Sequence, residues 1–124
     1  MNRVTIDMTV KRFDDGFGVG AEYKIDRQAV KVASLFYPIN EYESTYACLR
    51  AALPELLKHA ERPLVIFRSG ISQFASRDRL SRSLEILANQ DEKTVVFKRW
   101  YKPSSASDLA DDARARRSSI IIDV

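Results

Sequence analysis

NEYESTYACLRAALPELLKHA, residues Asn40 to Ala60, is the stretch that decides how the rest of the chain is read. It is the one long segment whose apolar residues (Tyr42, Tyr46, Leu49, Leu53, Leu56, Leu57) recur at helical spacing, which predicts an amphipathic helix with one buried face. Asn40 can cap the first turn, and Glu43 three residues on completes an Asn-x-x-Glu form of the capping box. Pro54 breaks the pattern near its end and predicts a kink or a detached last turn. Cys48 lies among the apolar positions, where a buried inert thiol is expected.

Working outward toward the N-terminus, the chain reads as strands. Val4, Ile6, Met8 and Val10 alternate with Thr5, Asp7, Thr9 and Lys11, so Asp7 points away from the aliphatic face. Asp14-Asp15-Gly16 is a hairpin turn signal. In the second strand, Phe17 to Ile25, glycines at 16, 18 and 20 leave one face bare for close approach of another backbone or a ligand. Asp26-Arg27 turns the chain again, and Ala29 to Tyr37 is a third strand stopped by Pro38. Short turns between the three imply an antiparallel meander.

Toward the C-terminus, strand and helix signals alternate. Leu64-Val65-Ile66-Phe67 is a continuous apolar run of the kind buried on both faces, normally parallel to a partner strand. Ser72 to Asn89 reads as a helix with Phe74, Leu80, Leu84 and Leu87 inward. A fifth strand runs from Thr94 to Lys102, and its alternation sets Lys98, Trp100 and Lys102 on one face. A short polar helix from Asp108 to Arg117 follows, with Asp112 and Arg116 at i,i+4. The chain divides into one domain, 1–117, and an apolar tail, 118–124. Three consecutive isoleucines in that tail predict an added strand or plug on the domain's own surface. Pairing with a second copy or a partner protein is the alternative.

Composition narrows the chemistry. The 124 residues are 45% hydrophobic and 30% charged with a net charge of +3, an ordinary globular balance that suits nucleic acid without requiring it. No apolar run is long enough for a membrane helix, and the N-terminus has no signal-peptide pattern, so a cytoplasmic protein without a membrane partner is expected. One His and one Cys exclude the usual zinc sets. Any metal would be carboxylate-held Mg²⁺ or Mn²⁺.

The order strand-strand-strand-helix-strand-helix-strand-helix resembles the ribonuclease H-like superfamily, type I ribonuclease H in particular. The resemblance rests on Asp7 in the first strand, the glycine-spaced second strand, and Glu43 ahead of Ser44-Thr45-Tyr46-Ala47-Cys48-Leu49. It also rests on Trp100 in the last predicted strand and on Asp108-Leu109-Ala110 with Ala113 in the last helix. It implies an α/β fold with a mixed five-stranded sheet and helices packed on it. It further implies a metal site of Asp7, Glu43 and Asp108, the catalytic carboxylates, with RNA or RNA–DNA hybrid as partner. Phosphodiester hydrolysis there would leave a 5′-phosphate and a 3′-hydroxyl. Lys98, Trp100 and Lys102 would contact the phosphate backbone.

One departure matters. The family's fourth strand ends in a metal-ligating Asp, whereas Phe67-Arg68-Ser69-Gly70-Ile71 puts Gly70 or Ile71 there. Two metal ions about 4 Å apart need three or four carboxylates to offset their mutual repulsion. The family's histidine after the fifth strand is also missing from Lys102-Pro103-Ser104-Ser105. The expectation is therefore a divergent member with an incomplete metal site, or a catalytically silent module on the same scaffold that serves protein assembly. Taken singly, Asp7 also reads as a polar residue on an open sheet face, Glu43 as a cap and Asp108 as a first-turn carboxylate favoured by the helix dipole.

Overall fold

The computed structural model describes residues 2–70, 79–100 and 105–124. Its elements are β1 (Arg3–Arg12), β2 (Gly16–Ile25), β3 (Gln28–Pro38), α1 (Thr45–Lys58), β4 (Leu64–Ser69), α2 (Arg79–Gln90), β5 (Thr94–Arg99), α3 (Ala106–Arg116) and β6 (Ile120–Asp123). The expected β-β-β-α-β-α-β-α order is present, and the tail adds one strand. The sheet is six-stranded, not five-stranded, in the order β5-β4-β1-β2-β3-β6. The 118–124 tail is thus part of the domain's sheet: β6 pairs antiparallel with β3 and tucks Ile121 against the core.

β1, β2 and β3 form the antiparallel meander that the turn signals predict. β4 pairs parallel with β1 and β5 parallel with β4, as a strand buried on both faces and reached through a helical crossover should. Val4, Ile6, Met8 and Tyr23 point to the face covered by α1, whose Leu49, Leu53, Leu56 and Leu57 are fully buried. There the Tyr23 hydroxyl donates to the Leu56 carbonyl (2.6 Å), and burial raises its pKa. Burial also pushes the Cys48 thiol up to about 12, consistent with an inert core residue.

Three local expectations need correction. α1 is capped by Ser44, whose hydroxyl accepts the Ala47 amide (3.1 Å), and not by Asn40. The cause lies upstream: the Pro38 carbonyl takes the amides of Glu41 and Tyr42, closing a turn through Asn40 and delaying the helix. The helix also continues through Pro54 to Lys58, so its last turn is not split off. The carbonyl that loses its partner there belongs to Arg50, which is exposed, so water can satisfy it. Finally, α3 begins at Ala106 rather than Asp108. The predicted start of the second helix at Ser72 and the end of the fifth strand at Lys102 lie outside the described residues. No described helix is long and apolar enough to cross a membrane.

Candidate functional site

α3 packs on the sheet face opposite α1, and the bare glycine face explains how. A Cβ at Gly18 would overlap the Ala110 carbonyl, and one at Gly20 the Ala106 carbonyl. Glycine at both positions lets the helix backbone lie directly on β2. The helix meets it with small residues at i, i+4 and i+7: Ala106, Ala110 and Ala113 are all buried. This seating sets the phase of the helix and turns Asp108 outward to solvent. It also covers only the glycine end of that face. The adjoining region, where Arg3, Thr5, Asp7, Glu22, Lys24, Arg68 and Lys98 project, carries no helix among the described residues.

Asp7 sits at the centre of the open region, 3% exposed, with Glu22 opposite it on β2 and Arg68 opposite it on β4. Both of its carboxylate oxygens are engaged. Arg68 Nε donates to Oδ1 (2.5 Å), Arg68 Nη2 donates to Oδ2 (2.8 Å), and Lys24 Nζ lies 2.9 Å from Oδ2. Burial alone would raise the Asp7 carboxyl. The bonds from Arg68 and Lys24, with their positive charge, outweigh it and hold the pKa below the usual carboxylate value. The Arg68 guanidinium lies 4.1 Å from the centroid of the Trp100 ring, so it is held between a carboxylate and an aromatic face.

The carboxylates expected to share a metal do not gather. Asp7 is committed to Arg68 and Lys24. Glu43 is exposed in the loop before α1, whose turn is anchored at Pro38. Pro38 is six residues along β3 from Val32, the residue in the same cross-strand row as Asp7, or about 20 Å at strand rise. Asp108 faces solvent on the far side of α3. Among the described residues no group of three or more Asp, Glu, His or Cys is placed to hold a metal ion. The donor set of this region therefore does not fit the Mg²⁺ or Mn²⁺ the resemblance implies, because a guanidinium and an ammonium occupy the carboxylate where a cation would bind. Gly70, exposed at the end of β4, adds no ligand.

The basic residues fare differently. Lys98 is opposite Arg68 in the β4–β5 register and shares its face, with Trp100 two residues on. Lys102 lies outside the described residues. The reading from sequence missed Arg3, Lys24, Arg27 and Arg68, which line a cavity of about 340 Å³ with Thr5 and Asp26. The signal was available for Lys24 and Glu22, since period two from Gly18 and Gly20 places both on the bare face. For Arg68 it was not, because its partner Asp7 is set by the pairing of strands 61 residues apart.

Comparison with known proteins gives the fold. No family model and no curated protein sequence matches the chain. Solved structures do. LC11 ribonuclease H1 in complex with RNA/DNA hybrid superposes with a TM-score of 0.56 at 14% identity, covering 92% of this chain and 98% of the other. The N-terminal ribonuclease H domain of a Mycobacterium tuberculosis protein, solved as a maltose-binding-protein fusion, gives 0.53 at 15% identity, covering 89% and 97%. Ribonuclease H1 from the halophilic archaeon Halobacterium salinarum gives 0.53 at 16% identity, covering 92% and 98%. The fold is ribonuclease H-like over nearly the whole chain.

Proposed function

We propose that this chain binds RNA or RNA–DNA hybrid through backbone phosphates on the open half of its sheet, and that it does not hydrolyse them by the two-metal route. One observation carries the reading: the buried Asp7 carboxylate is neutralised from within, by Arg68 and Lys24. Two-metal hydrolysis depends on carboxylates free to coordinate. Here the corresponding face of the sheet presents guanidinium and ammonium groups instead, the chemistry that recognises phosphate. A structural neighbour solved with an RNA/DNA hybrid supports the choice of ligand class. Asp7 then acts as the electrostatic anchor that fixes Arg68 and Lys24. Lys98 and Trp100 border the same surface, with the Trp100 ring backing Arg68.

Fluorescence anisotropy with a labelled hybrid tests this. Binding should persist in EDTA, and Mg²⁺ should weaken it only as a competing counterion, with the duplex recovered intact. With three to four phosphates contacted, log K should fall against log salt with a slope of about −3. Binding that requires Mg²⁺, or cleavage abolished by Asp7→Asn, would refute it.

A second reading has its own observation. β6 is the edge of the sheet, and Ile122 on it and Val124 just beyond it are 51% and 78% exposed. If that edge serves assembly, light scattering should give a dimer for the wild type and a monomer for Ile122→Lys. A wild-type monomer across the concentration range removes the idea.

A further inference from the structure

The geometry points to the cavity between the β2–β3 turn and the β1–β4 pair as a seat for a single phosphate group. This deepens the nucleic-acid reading and rests on it for the natural ligand, a backbone phosphodiester. The cavity is lined by Arg3, Thr5, Lys24, Asp26, Arg27 and Arg68, with no apolar side chain among these residues. Four cations converge there. Asp7 offsets Arg68 and Lys24, while among the described residues no ion pair engages Arg3 or Arg27. A concave, polar space of about 340 Å³ with net positive charge has room for a phosphodiester and its water.

The turn supplies an independent argument. Lys24 pairs with Ala29 and Ile25 with Gln28, which leaves Asp26-Arg27 as a two-residue hairpin loop. Both residues have positive φ, 53° and 69°, as a type I′ turn demands. Glycine is the favoured residue at the second position, and an arginine there holds a conformation that costs L residues energy. What the chain gains is a guanidinium at the rim of the cavity. Glu92 and Arg117 also have positive φ, so the strain alone assigns nothing; it is the cationic side chain facing the cavity that makes Arg27 a candidate.

The arrangement also separates the roles of the four cations. Arg68 and Lys24 are fixed by Asp7 and form the floor, preorganised before any ligand arrives. Arg3, exposed on β1, and Arg27 on the turn close on the ligand from the rim.

The test uses inorganic phosphate as probe, followed by amide chemical shifts in the full chain, with the labelled hybrid as a second arm. Phosphate should produce saturable shifts centred on residues 24–27, 3 and 68. Arg27→Gly should weaken that binding about tenfold, the size of one charge-assisted hydrogen bond. Its melting temperature should be no lower than that of wild type, since glycine relieves the turn. Arg3→Gln should weaken binding similarly. Arg50→Gln, which removes the same charge from the exposed face of α1, should leave it unchanged. In the hybrid arm, Arg27→Gly should reduce the salt slope by about 0.9. Phosphate shifts that do not saturate, or that are equal in wild type, Arg27→Gly and Arg50→Gln, overturn the seat even if the hybrid still binds. Saturable, Arg27-dependent phosphate binding without any hybrid binding would support the seat and sink the nucleic-acid reading alone.

Discussion

Replacing Arg68 with Met tests the electrostatic centre most sharply, because it keeps an unbranched apolar stem and removes the guanidinium with its charge and its hydrogen-bond donors. In the folded chain Arg68 makes two hydrogen bonds to Asp7 and stacks on Trp100, with its side chain 22% exposed and that of Asp7 4% exposed. Removing one partner of a buried pair costs about 3–5 kcal/mol, because the remaining charge is left without compensation. Lys24 still lies 2.9 Å from Asp7 in the variant, and Arg68 is partly solvated, so the expected loss is smaller, about 2–3 kcal/mol. Urea denaturation at neutral pH measures it, and a cycle with Asp7→Asn should return a coupling of about 2 kcal/mol.

The pH dependence has a definite sign. In wild type the folded pKa of Asp7 is depressed. Its contribution is therefore complete above the unfolded value of about 3.9 and is lost as pH falls through the lower folded value. In Arg68→Met, burial is opposed by Lys24 alone and the carboxyl pKa rises. The stability gap between the two proteins should be widest at neutral pH and should close as pH falls below about 4. A loss under about 0.5 kcal/mol at neutral pH, or a gap that persists undiminished in acid, would refute the reasoning and assign Arg68 a packing role only.

Other consequences follow from particular contacts. Gly20→Ala places a methyl group against the Ala106 carbonyl and should cost about 1–3 kcal/mol by lifting α3 from the sheet, read as a lowered urea midpoint. Ser44→Ala should destabilise by about 1 kcal/mol while Asn40→Ala changes stability little, which distinguishes the observed helix cap from the one expected at Asn40. Asp108→Asn should leave both hybrid binding and stability within about 0.5 kcal/mol of wild type, since the residue faces solvent on α3.

Much of this fold is legible in local pattern. The alternation through Val4 to Val10 gives β1 and the side on which Asp7 lies. The glycines at 16, 18 and 20 announce a close backbone approach, and α3 supplies it at 18 and 20. Leu64 to Phe67 reads correctly as a central parallel strand. What fails is what depends on helix phase and strand register. Asp108 stands in the right order for a metal ligand, but its direction is dictated by Ala106, Ala110 and Ala113 seating on β2, a tertiary contact. Their spacing was visible and could have warned of it. Glu43 looks like a first-turn residue until the Pro38 carbonyl claims two amides and moves the helix start to Thr45. The pairing of Asp7 with Arg68 has no local signature at all. It exists only because β1 and β4 lie side by side in one particular register.

The proposed grip on phosphate rests on a buried carboxylate held by the sheet's own cations, Arg68 and Lys24. Calorimetric titration of the wild-type chain with Mn²⁺ tests it most directly. The expected result is no saturable heat, with hybrid binding that does not require the ion. Stoichiometric Mn²⁺ binding that disappears in Asp7→Asn would contradict it.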